Sequence, residues 1–222
     1  MMANASAGDS GDFFMLGVIH RDERNREILN QWLEKLRPDV ITLEISQYSL
    51  DFRKITGPMY REKLDGTCSW LSSKGLARTN VRLESLYSFL DMPAEFAIAD
   101  EYRTRNNIDV YPIDMDFFSF LKLRWVDELI NEKNVQESLA ETHERLGPQE
   151  RVLAELYFHK GVVAFLYDEE MAMRDRYMCR KIDILRKRHR AGRFLHIAGW
   201  QHLRDPLSLY DPFRPVKIFP YD

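Results

Sequence analysis

The chain has 222 residues, room for one α/β domain or two very small ones. Its hydrophobic fraction of 45% supports a sizeable core, and a net charge of −3 argues against a nucleic-acid partner. No apolar run reaches the length of a membrane-crossing helix, about 18 residues, so no membrane partner is expected.

The opening run MMANASAGDSGD has neither a basic stretch nor an apolar one. It reads as a disordered polar tail over 1–12 rather than a signal peptide, ahead of a single α/β domain over 13–222. Cys68 and Cys179 form no Cys-x-x-Cys pair. Without an export signal, a disulfide is not expected and the expected location is cytoplasmic.

Residues 13–19 (FFMLGVI) form a continuous apolar run, the pattern of a strand buried on both faces. A helix follows, with Ile28, Leu29, Trp32, Leu33 and Leu36 on one face, Asp22 as its expected N-cap and Arg37-Pro38 as its stop. Residues 40–45 (VITLEI) form a second buried strand, so 13–45 reads as a βαβ unit with parallel strands. The stretch 46–80 carries Gly57-Pro58, Gly66 and Gly75 and reads as one or two short helices with an irregular excursion. Pro93 opens a helix to about 106, and 110–113 (VYPI) is a third strand whose Pro112 puts it at a strand end or a sheet edge.

Residues 117–146 read as two helices broken near Asn134, and 149–190 as one long amphipathic stretch kinked at Gly161. Strands at 194–198 (FLHIA) and 215–219 (PVKIF) complete the pattern. Strands alternating with helices imply an α/β fold, with a mostly parallel or mixed central sheet flanked by helices. The helix-rich middle is expected to be an insertion covering one end of the sheet.

Four polar residues share one structural address. His20 follows the first strand in Gly17-Val18-Ile19-His20, Glu44 ends the second, Asp114 follows the third, and His202 follows the fourth in Gly199-Trp200-Gln201-His202. In an open parallel sheet, ligands bind at the carboxyl ends of the strands, where such residues converge. About a quarter of one Gly-x-x-His word is expected by chance from this composition, so two at strand ends stand out. Taken singly, each residue also fits a plain structural role: a hydrogen-bonded histidine, a solvated glutamate, an aspartate capping the next helix. Two imidazoles and a carboxylate suffice for a catalytic metal with open positions. His196 reads as packed within its strand, His143 and His189 as solvated, and His159 as a core or boundary residue.

These motifs together resemble the Tiki/TraB/erythromycin esterase/ChaN-like superfamily, nearest in pattern to its TraB and pheromone-shutdown members. That pattern has two Gly-x-x-His motifs with a glutamate and an arginine between them. Gly17 and His20 match the first, Gly199 and His202 the second. The run LRPDVITLEIS is similar to the family's second strand and puts Glu44 in the functional glutamate position. The run 173–178 (MRDRYM) resembles the family's Glu-Arg-Asp/Asn helix motif, with Arg174 as the arginine. A weaker likeness over 94–114 places Glu95 and Asp114 at acidic positions. Met173 and Met115 stand where the family carries charge. Tyr167, Met171 and Met178 share Arg174's helical face by spacing, which favours a buried salt bridge to Glu44 or Glu95 over a solvated arginine.

The resemblance implies an erythromycin esterase/ChaN-like fold and a metal-dependent hydrolase of peptide or ester bonds. His20, Glu44 and His202 would hold Mn, Co or Zn, or the histidines would work with Glu44 as general base. Glu95 or Asp114 would move protons, and Arg174 would hold an anion. The alternative is a non-catalytic binding or regulatory protein of the same superfamily, of the haem-binding or pheromone-shutdown type. Expected partners are a peptide or a small-molecule ligand, with a homodimer left open. Asp114-Met115-Asp116 also has phosphatase-type Asp-x-Asp spacing, but it follows the third strand rather than the first. Replacing either motif histidine is expected to spare the fold, since strand-end residues serve the site and the sheet core carries stability.

Overall fold

The computed structural model describes residues 12–75, 81–140, 149–163, 165–189 and 192–221. The expected tail over 1–12 lies outside them except for Asp12, whose carbonyl accepts the Phe194 N–H at 2.9 Å. The chain forms two compact units. One takes the chain up to Glu44, from Ile98 to Asp114, and from Leu166 onward; the other takes Ile45–Ala97 and Met115–Phe165. Among the described residues, no helix is long and apolar enough to cross a membrane.

The first unit holds every strand described: β1 (Phe13–Val18), β2 (Val40–Leu43), β3 (Asp109–Pro112), β4 (Phe194–Gly199) and β5 (Val216–Ile218). They pair in the order β3-β2-β4-β1-β5, all parallel, so the sheet is parallel throughout rather than mixed. β2 and β4 are buried along their whole length, as both-face coverage by helices requires. β3 and β5 are the edges, and Pro112 sits at the end of the former, where a missing N–H is tolerated. Helix α1 (Asn25–Leu36) joins β1 to β2. Its first-turn Arg26 and its Glu34 pair with Glu101 and Arg105 of the helix that precedes β3, so these two helices share a face. Right-handed crossovers put the return from β3 to β4 on the other face, where Arg186 lies over the rings of Phe13, Phe194 and Phe213.

The chain leaves β2 toward β3 and leaves the adjacent β4 in the opposite direction, toward β5. A crevice opens where neighbouring strands send the chain apart, so the carboxyl ends of β2 and β4 form the switch point of this sheet. Register aligns those ends: Leu43 is opposite both Ile197 and Pro112, and Val18 is opposite Gly199.

The second unit is helical: α2 (Gln47–Asp51), a π turn over Phe52–Thr56, α3 (Gly57–Ser73), α4 (Val81–Leu90), the start of α5 (Ala94–Asn106), α6 (Asp116–Leu123), α7 (Val126–Leu129), α8 (Glu132–Ala140) and α9 (Gln149–Lys160). Leu64, Leu71, Val126, Ile130 and Val135 form its core. From Ile98 onward α5 belongs to the sheet unit, as does α10 (Glu169–Arg188).

Several expectations are corrected. Residues 47–73 are helical throughout, because Gly57-Pro58 falls in the first turn of α3, where proline's missing N–H costs nothing, and Gly66 is carried inside the helix. The break expected near Asn134 lies earlier: Asn131 caps α8 by accepting the Asn134 N–H at 2.9 Å, and a second break at 124–125 separates α6 from α7. Gly161, at φ 67°, ends α9 outright instead of kinking it, and α10 restarts at Glu169 with Asp168 as its cap. Asp22 does not cap α1. Its carboxylate takes the Arg24 N–H at 2.9 Å, and Arg24 holds the N-cap position.

Candidate functional site

β1 and β4 bring the two Gly-x-x-His words together, and each glycine makes room for the other word. A Cβ at Gly17 would come within 2.5 Å of Leu203 Cδ1 and 3.0 Å of Trp200 Cα. A Cβ at Gly199 would come within 2.9 Å of His20 Nε2 and 3.3 Å of Glu44 Oε2. The glycines are therefore explained by close approach rather than by backbone dihedrals.

Glu44, one residue past β2, is the hub. Its amide continues the sheet by donating to the Ile197 carbonyl at 3.0 Å, which fixes the side chain's origin. Its Oε2 accepts the Gly199 N–H at 2.6 Å and lies 4.0 Å from His20 Nε2. Its Oε1 lies 3.1 Å from His202 Nε2 and also accepts from Arg174 Nη2. Arg174 holds Asp114 with a two-point fork, Nε to Oδ1 at 3.0 Å and Nη2 to Oδ2 at 2.7 Å. The expected buried ion pair at Arg174 is present with Glu44. Its second acid is Asp114; Glu95, the other candidate, is buried in the helical unit. Asp114 caps no helix: Met115 holds that position of α6.

His202 sits on a 3-10 turn (Trp200–Arg204) directly after β4 and is 3% exposed. Its Nδ1 meets Asp175 Oδ1 at 2.6 Å. Asp175, fully buried, also accepts the hydroxyls of Tyr210 at 2.9 Å and Tyr167 at 2.7 Å. Burial works against a charged imidazole here, but Glu44 and Asp175 outweigh it and push the His202 pKa up to about 10. The ring is thus an imidazolium that donates from both nitrogens at neutral pH. Burial would raise the Glu44 carboxyl, yet His202 and Arg174 hold it well below the usual carboxylate value. Burial pushes the neighbouring His196 down to about 4, with the His202 charge adding to it. That ring is neutral, bonded through Nδ1 to Thr42 Oγ1 at 3.1 Å and stacked on Tyr210. Packing within its strand, as expected, is what His196 does.

His20 differs from the rest. Its side chain is 46% exposed, against 16% for Arg174 and 7% for Glu44, so it is the cluster's face to solvent. Glu44, Asp114 and Asp175 carry three negative charges and Arg174 and His202 two positive ones. A proton on His20 would balance the remaining charge.

Sequence reasoning missed Tyr210 and gave no role to Asp175, which stands at the acidic position of the matched helix motif; Tyr167, expected on Arg174's helical face, lies ahead of α10 and bonds Asp175 instead. Asp175 hides in the charged run Arg174-Asp175-Arg176. The signal that marks it is its place in the buried stripe Ala172, Asp175, Met178, Cys179, Ile182, where it is the one charged member. His189 is not solvated: its side chain is 22% exposed and its Nε2 meets the Tyr111 hydroxyl at 3.1 Å. His159 is exposed rather than at the core, and His143 lies outside the described residues.

A divalent ion would need lone pairs on His20, Glu44 and His202. Among the described residues, no three His, Cys, Asp or Glu side chains are arranged to hold one. His202 Nδ1 and Nε2 each face a carboxylate, of Asp175 and Glu44, and both Glu44 oxygens are engaged by Gly199, Arg174 and His202. These donors do not fit a metal as arranged, and no step below uses one.

No family model matches the chain, and no curated protein or solved structure does so either.

Proposed function

We propose that the strand-end cluster is the active site of a hydrolase that cleaves a peptide or ester bond by acid–base chemistry at His20. The bond type and the erythromycin esterase/ChaN-like fold rest on the resemblance of the two Gly-x-x-His words, with Glu44 and Arg174 between them. The observation that carries the reading is the place of Glu44, 4.0 Å from the open His20 and 3.1 Å from the buried His202.

The exposed imidazole of His20 takes the proton of a water as its oxygen adds to the carbonyl carbon. Glu44, kept ionised by Arg174 and His202, stabilises the imidazolium that forms, a role carboxylates play beside catalytic histidines. The contact tightens when substrate excludes water, as such hydrogen bonds do on leaving the free state. Arg174 spends Nε and Nη2 on acids. Its Nη1, which has no hydrogen bond to a described residue, is the donor for the oxyanion. His20 then returns its proton to the departing amine or alkoxide. His202, Asp175 and Asp114 position Glu44 and Arg174 and do not exchange protons.

A second reading has its own support. Apart from one charge, the buried acids and bases compensate each other internally, as a structural strut would. Met173, 44% exposed, and Met115 replace charged motif residues. A non-catalytic protein that binds a peptide or haem fits those features.

The test is turnover against a panel of peptides and esters, with and without chelator, alongside elemental analysis. The hydrolase reading expects turnover that survives chelation and is abolished in His20→Ala. Turnover lost in chelator and restored by Mn, Co or Zn would recast His20, Glu44 and His202 as metal ligands. No turnover, with tight binding of haem or a peptide, would favour the binding protein.

A further inference from the structure

The segment that carries His20 is held by a closed ring of hydrogen bonds. The Ile19 N–H donates to the Tyr221 hydroxyl at 2.8 Å. That hydroxyl donates to Asn25 Oδ1, and Asn25 Nδ2 donates back to the Ile19 carbonyl at 2.9 Å. Asn25 is 1% exposed and Tyr221 9%, so water does not substitute for these partners. Both backbone polar groups of the residue before His20 are thereby fixed by two side chains, one of them 202 positions away.

His20 itself lies in a tight turn. The Ile19 carbonyl also accepts the Asp22 N–H at 3.2 Å, and Arg21 takes φ 63°, a left-handed conformation that side chains other than glycine adopt only when held there. Arg24 adds a further tie. Its guanidinium is paired with Asp22 at 3.2 Å and lies over the Tyr221 ring, 5.1 Å from its centre.

We infer that Tyr221 is a positioning residue for His20, acting through Ile19 and Asn25. The inference rests on reading His20 as the group that meets substrate. The imidazole reaches Glu44 from a backbone direction set at Ile19, and the 4.0 Å contact leaves little tolerance: a small rotation there swings the ring away from the carboxylate. A merely structural role for the ring of bonds would lower stability without disturbing His20 in particular.

The test uses the whole chain with 13C-labelled histidine, His20 being assigned by its loss in His20→Ala. Tyr221→Phe and Asn25→Ala each break the ring at a different bond. Tyr210→Phe removes a hydroxyl from Asp175 instead. In Tyr221→Phe the Ile19 amide should exchange roughly tenfold faster. The His20 ring signal should broaden or split in both ring-breaking variants, with the His202 and His196 signals in place. Tyr210→Phe should do the reverse, moving His202 and sparing His20. An unchanged His20 signal beside a deprotected Ile19 amide would overturn the inference, as would equal changes at every histidine. Neither result depends on turnover, so a chain that hydrolyses nothing still decides this question separately.

Discussion

The backbone N–H of Gly199 points at the Glu44 carboxylate from 2.6 Å, and the same glycine leaves the space that His20 Nε2 fills. One residue of β4 thus donates to the hub of the site while yielding room to its exposed histidine. The chemistry of the cluster depends on an atom that is not there.

That arrangement separates the two motif glycines. Gly199→Ala would push its Cβ against His20 Nε2, the far end of a flexible side chain, at 2.9 Å, and against Glu44 Oε2 at 3.3 Å, which need give by only a few tenths of an ångström. Stability should change by less than about 1 kcal/mol, while turnover and the His20 ring signal should suffer. Gly17→Ala meets Leu203 and the Trp200 backbone, which cannot swing away, and should cost about 1–3 kcal/mol. Urea unfolding of both variants checks the contrast; equal losses would refute it.

The charge state of His202 sets a pH profile for stability. Its folded pKa of about 10 lies above the ordinary 6.5, so its contribution is complete below about 6.5 and is lost as pH rises toward 10. Glu44 is depressed below its ordinary 4.5, so its contribution is present above that value and is lost in acid. His196, buried neutral with its pKa down to about 4, contributes above about 6.5 and loses that contribution as pH falls toward 4, so stability should peak near pH 6.5 and decline on both sides. In His202→Gln the alkaline slope attributable to this residue should vanish; a slope identical to wild type would show that the charge lies elsewhere.

Arg174→Ala leaves Glu44 and Asp114 without their guanidinium in a site where Arg174 is 16% exposed. Removing one partner of a buried pair costs about 3–5 kcal/mol. Arg188 is exposed near the end of the same helix, and Arg188→Ala should stay within about 0.5 kcal/mol. Chemical denaturation of the two variants, side by side, measures the difference.

The two motif histidines should not behave alike. From sequence, replacing either one was expected to spare the fold. In the structure His20 is half-exposed, so His20→Ala should abolish turnover at little cost in stability. His202 is a buried cation between two carboxylates, so His202→Ala leaves Glu44 and Asp175 facing each other and should destabilise strongly. Thermal unfolding of both, read beside turnover, tests the division.

The strands were legible because burial on both faces writes itself as apolar runs, unbroken in FFMLGV and interrupted only by His196 in FLHIAG. Their ends then pointed to His20, Glu44, Asp114 and His202. Arg174 was legible because a lone cation on an apolar helical face needs an acid. The helical unit was harder to read. Gly66 is exposed, and a Cβ there would meet nothing within 4 Å, so it interrupts no packing, yet a glycine reads as a breaker. Asp175, though inside the matched helix motif, was given no role because its neighbours in sequence are charged, whereas its neighbours on the helix are buried. Tyr167 reads by spacing as part of Arg174's helical face but precedes α10, and Tyr210 carries no local pattern; only the folded chain brings both hydroxyls to one carboxylate.

Arg174 and Asp175 are consecutive, so they leave α10 about 100° apart. One grips Asp114 and Glu44, the other His202 and two tyrosines. A helix held at two bearings is keyed like a shaft and cannot turn to relieve strain in either. Adding one residue after Tyr177 would rotate this first half by about 100° against Ile182 and Leu185, which stay anchored in the core. Both grips would be lost in a single event. An added residue ahead of Leu166, before Tyr167 and the cap at Asp168 have fixed the phase of the helix, should therefore be tolerated better than one within α10.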